Sequence, residues 1–131
     1  MKEVKFTIPS SVRSKKNSKR IFACGRFKKV LPSKAYEAWQ DYARRSVFFY
    51  LSGVRSMCFT EFDYPLSCPV QVEAHFYYKG PRPDLSGALE SVGDCLQGIM
   101  WADDGQIESW DGSRLHHDLE NPRTEVTVRW E

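Results

Sequence analysis

The amino-acid sequence predicts an α+β fold, a two-layer domain in which two main helices pack on a mixed β-sheet. Three observations carry this prediction. The chain has 131 residues, of which 41% are hydrophobic, so it can bury the core of one domain, and we assign residues 1–131 to that domain. Residues 70–78 alternate apolar and polar side chains, as half-buried strands do. Residues 85–99 repeat apolar side chains at helical spacing.

The N-terminal part of the chain predicts, in order, a strand at 4–8, a basic arm at 10–20, a hairpin at 20–32 and a helix after 33. The arm and hairpin together make residues 10–30 a basic segment. Ser33 is a candidate N-cap of the helix, and Gly53 is expected to end it. The helical stripe expected to face the core contains Ala35, Trp39, Tyr42, Ala43 and Val47.

The C-terminal part predicts a loop at 54–69, the strand at 70–78, a helix that Asp84 begins, a strand at 107–110 and a last strand at 124–130. Asp111-Gly112 is a turn signal between the last two strands. The second helix is expected to bury Leu85, Ala88, Leu89, Val92, Leu96 and Ile99.

Charge is divided unevenly between the two ends of the chain. Residues 1–45 hold 13 Lys or Arg against 3 acids, whereas residues 84–131 hold 11 acids against 3 Arg. The basic part can bind a polyanion, and the acidic part can bind a cation. Two ordinary solvated faces are the alternative interpretation of the same pattern.

Several classes of protein are disfavoured. The four cysteines (Cys24, Cys58, Cys68 and Cys95) have no C-x-x-C spacing, which argues against a zinc site. The N-terminus has no apolar stretch of signal-peptide length, and no run approaches the roughly 20 apolar residues of a membrane span. We therefore expect a cytoplasmic protein with reduced thiols and no membrane contact.

Two acidic positions are candidates for chemistry. Asp84 follows a Pro-rich turn at the start of the second helix, and Asp103-Asp104 lies in the short loop beyond its end. Mg²⁺ needs only one or two carboxylates, with water and phosphate oxygens completing its shell, so a partial cage formed by these residues would suffice. Considered alone, an Asp at a helix start is more often a cap, and Asp-Asp-Gly is more often a turn.

The sequence around these acids resembles the RusA-like Holliday junction resolvases. Residues 82–96 read RPDLSGALESVGDCL and residues 101–107 read WADDGQI. The family pattern is R-P-D-x-D-N-L-x-K-x-x-x-D-A-L, followed through a helix by W-x-D-D-x-Q-V. The N-terminal segments KFTIPS, SKKNSKR and IFACGRFKKVLPS, a helix start at PSKAY and the C-terminal PRTEV also fit the family. The resemblance covers nearly the whole chain.

The resemblance implies a homodimeric, prophage-type endodeoxyribonuclease that resolves four-way DNA junctions in recombination and repair. It also implies Mg²⁺ as the cofactor, with Mn²⁺ as a substitute. In the family, three aspartates hold the metal and a lysine assists at the phosphate. Asp84 matches the first metal aspartate, and Asp104, or else Asp103, matches the third.

Three positions depart from the family pattern. Ser86 stands where the second metal aspartate is expected, Gly87 replaces the asparagine and Glu90 replaces the lysine. One hypothesis is a rebuilt, active site, in which Asp84 and Asp104, together with Glu90, Asp94 or Asp103, hold the ion and Ser86 gives a neutral oxygen. The alternative is a protein that binds branched DNA without cutting it. A third is an unrelated basic nucleic-acid module, or a ribonuclease, whose acids are structural.

Seven basic residues are the candidate DNA contacts: Lys15, Lys16, Lys19, Arg20, Arg26, Lys28 and Lys29. Contacts to phosphates position a protein without reading sequence, which suits an enzyme that recognises junction shape. A solvated arm is the alternative.

The remaining candidate functional residues are three histidines and an apolar segment of the first helix. His116 and His117 are adjacent, so on a strand they point to opposite sides and are not expected to chelate one ion together, and surface roles are expected for these residues and His75. The apolar run 48–51 occupies all sides of the first helix, which favours burial in a subunit interface.

Overall fold

The computed structural model describes residues 1–14, 19–24, 27–32, 34–58 and 64–131, and it describes no side chains within 19–32 and 54–58. It confirms the predicted α+β fold. The elements in chain order are β1 (Lys2–Pro9), β2 (Lys19–Cys24), β3 (Phe27–Pro32), α1 (Lys34–Cys58), β4 (Val70–Tyr78), α2 (Leu85–Cys95), β5 (Ile107–Ser109), β6 (Arg114–His117) and β7 (Arg123–Trp130).

The main sheet is mixed and has five strands in the order β1-β7-β4-β5, with β6 also paired to β4. The β1–β7 and β4–β7 pairs are antiparallel, whereas β5 and β6 both run parallel to β4. The helix α2 therefore connects two parallel strands, as expected for parallel neighbours, which cannot be joined by a tight hairpin. The strands β2 and β3 form a separate antiparallel hairpin, as predicted.

One face of the main sheet and both helices share a single hydrophobic core, because the strands alternate buried and more exposed residues with period two. The largest side chains that this core buries completely or nearly so include Trp101, Tyr36, Phe76, Ile8, Leu96 and Met100. The other face of the sheet carries polar and charged side chains.

The helix α1 is longer than predicted, because it continues through Gly53 to Cys58. A Cβ placed on Gly53 would have no atom within 4 Å, so the residue sits on the open side of the helix. There it costs only about 1 kcal/mol relative to alanine, which lowers helix propensity without ending the helix. The buried stripe of α1 also differs from expectation, since Ala35 and Tyr42 are exposed. The residues that this helix buries are Tyr36, Trp39, Ala43, Val47 and Leu51.

The C-terminal half contains one strand that was not predicted. β6 is four residues long, with the sequence RLHH, and it pairs with the end of β4. A single leucine among polar neighbours gives no alternation to detect, so only the tertiary pairing reveals it.

The helix α2 is followed by a turn that contains Gly98 at φ +85, and this turn returns the chain to the buried Trp101. None of the helices described is long and apolar enough to cross a membrane.

Candidate functional site

Asp84 occupies the N-cap position of α2, as predicted, with an extended backbone at φ −78 and ψ 128. Its carboxylate makes no capping hydrogen bond to the helix backbone. Instead, Asp84 Oδ2 accepts a hydrogen bond from Ser86 Oγ at 2.8 Å. Backbone capping is the commonest reason for an aspartate at this position, and it does not apply to this carboxylate.

Gly87, in the first turn of α2, lies close to the hydroxyl of Ser14. A Cβ on Gly87 would lie 2.6 Å from Ser14 Oγ and 3.7 Å from Asp84 Oδ2. A side chain at this position would therefore require the hydroxyl of Ser14, a residue that follows β1 in the sequence, to move. The glycine thus allows the Ser14 hydroxyl to lie against the first turn of the helix. The family pattern has an asparagine at position 87.

A cleft of about 320 Å³ runs along the outer side of α2. It is lined by Ser86, Leu89, Glu90, Gly93, Asp104, Ile107 and Trp110. Ser86, Glu90 and Gly93 are spaced four and three residues apart, so they follow one stripe of the helix. The departures at positions 86 and 90 therefore lie on the same surface as the candidate metal ligand Asp104.

Asp104 closes the far end of this cleft. Its Cβ is 3.8 Å from the point where a Cβ on Gly93 would lie. Gly93 is seven residues beyond Ser86, which corresponds to about 10 Å along the helix axis. Glu90 is exposed between them, so of the α2 acids it is the one placed to act with Asp104. Asp84 does not line the cleft and is connected to it through the hydroxyl of Ser86.

Asp103 is directed elsewhere, although it adjoins Asp104 in sequence. Asp103 and Gln106 form a capping box around a single 3-10 turn at Asp104–Gln106. The backbone N–H of Asp103 donates to Gln106 Oε1 at 2.8 Å, and Asp103 Oδ2 lies 2.8 Å from the position of a Cβ on Gly105. This carboxylate is therefore folded over the turn, and the structure favours Asp104 as the cleft-facing residue of the pair.

Two glutamines hold the loop that carries Asp104. The side-chain nitrogen of Gln106 donates to the carbonyls of Leu66 and Cys68, both at 2.8 Å. Gln97 Oε1 accepts the backbone N–H of Asp104 at 3.2 Å. The position of Asp104 is thus fixed from both sides of the loop.

The C-terminal end of α2 is held by a residue from the other helix. Arg44 on α1 donates through Nη1 to the carbonyl of Cys95 at 2.7 Å and to that of Gln97 at 2.9 Å. A guanidinium is a favourable partner here because the last carbonyls of a helix lack partners within the helix and carry partial negative charge. These bonds connect α1 to the segment that leads to Asp104.

Two buried groups at the inner side of α2 have raised pKa values. Burial, and then the charges of Asp94, Cys95 and Glu90, raise the pKa of Tyr36 to about 12. Burial also raises the pKa of the Cys95 thiol to about 12. Both groups therefore stay neutral at physiological pH, and neither supplies a charge to the cleft.

The residues of the cleft suit a hard cation better than zinc. Within the part of the chain that the structure describes, no group of three or more His, Cys, Asp or Glu side chains is gathered as a ready-made metal cage. Mg²⁺ does not require one, because it keeps several waters and is held by one or two carboxylates plus substrate phosphates. The carboxylates that line the cleft are those of Glu90 and Asp104, and Ser86 adds a hydroxyl toward its other end, whereas Asp94 does not line it.

Four of the seven basic candidates lie in the hairpin. Lys19 and Arg20 belong to β2, and Lys28 and Lys29 belong to β3, which confirms the predicted hairpin as their scaffold. Lys15, Lys16 and Arg26 lie outside the described residues. The contribution of all seven to DNA binding stays a prediction.

A cluster on the outward face of the sheet was not expected. His75 Nε2 is hydrogen-bonded to Glu73 Oε2 at 2.8 Å, and His75 Nδ1 to His116 Nε2 at 2.9 Å. His116 also stacks on Tyr77 with ring centroids 4.5 Å apart. His117 contacts Tyr78 on the other side of β6, as expected for adjacent strand residues. The alternation of Glu73, His75 and Tyr77 along β4 was the signal in the sequence.

Comparison with known proteins finds a family model that matches most of the chain. The family model described as Endodeoxyribonuclease RusA matches residues 9–129. That range includes both helices, the cleft and the hairpin. A search of curated proteins finds no significant match.

Proposed function

The chain belongs to the RusA endodeoxyribonuclease family, and on that premise we propose that it cuts four-way DNA junctions with a divalent metal ion held in the cleft along α2. Membership of the family implies a Holliday junction resolving endonuclease, and nucleases of this family depend on divalent metals. We name Mg²⁺ as the ion, with Mn²⁺ as a substitute, because the donors are hard oxygens.

One observation carries the proposal: Glu90 lines the same cleft as Ser86 and Asp104. The carboxylate that the family motif places at position 86 is absent here, but another carboxylate stands one helical turn later on the same stripe. The cleft therefore has two carboxylates, from Glu90 and Asp104, the same number that aspartates at positions 86 and 104 would supply. Because Glu90 also replaces the family lysine, this cleft is more negative than the family pattern, and positive charge for the DNA must come from other residues.

The roles of the individual side chains follow from their contacts. Glu90 and Asp104 would hold the ion, and Ser86 would offer a neutral oxygen. Because Ser86 directs its proton to Asp84, the lone pairs of its oxygen are left for the ion or its water. When bound, such an ion polarises the phosphodiester and lowers the pKa of a water. Gln97 and Gln106 keep Asp104 at the wall of the cleft.

We further propose that the active form is a homodimer, since paired cuts in a two-fold symmetric junction are most simply made by two copies of one site. The exposed aromatic side chains of α1 support this part of the proposal. Phe48 is 62% exposed and Phe49 is 80% exposed, although both are large and apolar. The cellular part of the proposal is recombination and repair of DNA in the cytoplasm, in a prophage setting, and it rests on the family.

The test is cleavage of an end-labelled four-way junction with Mg²⁺, with Mn²⁺ and with EDTA. Asp104→Asn should lower the cleavage rate on the order of 100-fold or more while the affinity for the junction in EDTA is unchanged, because several kcal/mol of charge stabilisation depend on the ion. Asp103→Asn is the matched control, since asparagine also serves as an N-cap, and its rate should stay within a few-fold of wild type. Tight junction binding without cutting at any metal concentration would instead show a junction-binding protein that is not a nuclease.

A further inference from the structure

A second polar pocket lies beside the first turn of α2, apart from the acidic cleft. It forms where the loop after β1 meets the loop after β4, and its volume is about 280 Å³. The two loops are joined by the backbone N–H of Lys79, which donates to Ser11 Oγ at 3.3 Å. None of the seven predicted DNA-binding residues is among the described residues that line this pocket.

The lining of this pocket is strongly positive. Arg13, Lys79 and Arg82 line it, and no Asp or Glu is among its described lining residues. All three cations are exposed, and none forms an ion pair with another described residue. These three cations have no carboxylate among the described residues that line the pocket with them, so the lining favours an anionic ligand.

Ser14 provides the second, independent observation. It lines the pocket and is only 8% exposed, and its hydroxyl has no hydrogen-bond partner among the described residues. A buried hydroxyl without a partner costs about 1–3 kcal/mol, so such groups usually have a ligand or water to bind. The Ser14 oxygen lies 2.6 Å from the position of a Cβ on Gly87, which places it over the first turn of α2.

The helix itself presents donors at this point. α2 has 11 residues, and the side chain of its N-cap residue, Asp84, makes no hydrogen bond to the backbone. The first N–H groups of the helix therefore lack a capping partner, and they carry the positive end of the helix dipole. At Gly87 this turn is covered by the hydroxyl of Ser14 and not by a side chain of its own. Backbone N–H groups at a helix start, with nearby cations, are a common way to bind phosphate.

We propose that this pocket binds a phosphoryl group through the Ser14 hydroxyl, the first turn of α2 and the side chains of Arg13 and Lys79. Resting on the proposed function, the occupant is a backbone phosphate of the DNA strand that enters the neighbouring cleft. Asp84 stands at the same helix end and repels an anion, so the three cations of the pocket have to outweigh it. The cations that hold this phosphate would supply positive charge that the family lysine, replaced here by Glu90, does not supply.

The first experiment measures junction binding in EDTA as a function of salt. The double variant Arg13→Gln with Lys79→Gln should flatten the slope of log affinity against log salt by about 0.9, the value for one duplex phosphate contact. Arg114→Gln removes an exposed positive charge from β6 that does not line the pocket, and it should leave the slope unchanged. A wild-type slope in the double variant would remove DNA phosphate as the occupant.

The second experiment uses inorganic phosphate as the probe and follows the Gly87 amide by NMR. Ser14→Ala should weaken phosphate binding roughly tenfold, because it removes a hydrogen bond to a charged group. The same variant should unfold at a temperature no lower than wild type, since it removes an unpaired buried hydroxyl. A merely structural serine would give the opposite pattern, with lower stability and unchanged phosphate affinity, and that result would overturn the proposal.

The two experiments also separate this proposal from the nuclease assignment. If the protein fails to cut junctions with any metal but the Gly87 amide still responds to phosphate, the pocket stands and the nuclease function falls. If wild type cuts junctions but neither the double variant nor Ser14→Ala differs from it, the pocket falls and the nuclease function stands.

Discussion

Ser86 Oγ donates a hydrogen bond to Asp84 Oδ2 at 2.8 Å. At these two positions the family pattern has a pair of aspartates, whereas this chain has a carboxylate and a hydroxyl. The pair has one negative charge instead of two. It can exist without a metal, because no like charges need to be kept apart.

Replacing Ser86 with Asp should restore the family pair and tighten the metal site. We expect Ser86→Asp to lower the Mg²⁺ concentration for half-maximal junction cleavage several-fold, because a second carboxylate near Asp84 is stabilised by a cation. In EDTA the same variant should unfold at a lower temperature than wild type, and Mg²⁺ should reverse this destabilisation. Ser86→Asn is the uncharged control, and equal Mg²⁺ requirements for the two variants would exclude Ser86 from the site.

Glu90 should be needed for metal binding. Glu90→Gln removes one of the two carboxylates of the cleft, so we expect at least a tenfold higher Mg²⁺ requirement for cleavage, which corresponds to about 1.4 kcal/mol. Asp94→Asn is the matched control, because Asp94 lies one turn further along α2 and does not line the cleft. If both variants need the same Mg²⁺ concentration, the cation is not held by Glu90.

Gln106 should act as a positioning residue for Asp104. Its side chain makes three hydrogen bonds of 2.8 Å, to the N–H of Asp103 and to the carbonyls of Leu66 and Cys68. Gln106→Ala should destabilise the fold by about 2–4 kcal/mol, since these backbone groups would be left without their partner. At temperatures where the variant is folded, the cleavage rate at saturating Mg²⁺ should fall while junction affinity in EDTA is retained.

The conservative variant Gln106→Glu tests whether the hydrogen bonds of the Gln106 side chain, and not only its size, position Asp104. It keeps the acceptor for Asp103 but cannot donate to the two carbonyls when ionised. We expect its cleavage rate to resemble that of Gln106→Ala. A variant with wild-type cleavage would show that the carbonyl bonds do not fix the loop.

The basic arm remains a prediction from the sequence. Replacing Lys15, Lys16 and Lys19 with Ala should lower junction affinity and reduce the salt slope, by up to about 0.9 for each duplex phosphate that the variant no longer neutralises. Filter binding or anisotropy across a salt series measures both quantities. An unchanged slope would place the arm outside the DNA interface.

The stability of the protein should fall on mild acidification through His116. Burial, then the positive charges of His75 and Arg114, lower the pKa of His116 below its ordinary 6.5. The unfolded chain then binds this proton more readily than the folded chain, so stability is retained above that value and decreases as pH falls below it. Urea unfolding between about pH 7 and pH 5 should show a smaller decrease in stability for His116→Gln than for wild type.

The pH range of this effect separates it from that of a neighbouring carboxylate. Glu73 has a pKa lowered chiefly by its hydrogen bond with His75. The stability it contributes is present above the ordinary value of 4.5 and is lost only below it, so its effect lies in a more acidic range.

Periodicity in the sequence was sufficient for the elements that bury one face. The spacing of apolar residues predicted β4 and α2, and the structure confirms both elements, although α2 ends at Cys95 and Ile99 lies in the turn beyond it. The same reasoning failed at Gly53, because a glycine on the open side of a helix lacks any tertiary reason to end it. It also missed β6, whose identity depends on pairing with β4 and not on its own composition.

At the site, the sequence located the acids but could not assign their directions. Asp103 and Asp104 are neighbours of the same type, and only the capping box with Gln106 separates them. The pocket of Arg13, Ser14 and Lys79 was not visible either, because it joins two loops that are far apart in the sequence and has no motif. The pocket forms because the C-terminal ends of β1 and β4 lie at the same end of the sheet.

The two bonds from Arg44 to the carbonyls of Cys95 and Gln97 have a consequence for motion. A helix end usually frays on its own, but this one can open only if the guanidinium of α1 releases it. Amide hydrogen exchange in the last turn of α2 should therefore be as slow as in the middle of that helix. After Arg44→Ala it should become fast there, while amides of β7 keep their protection.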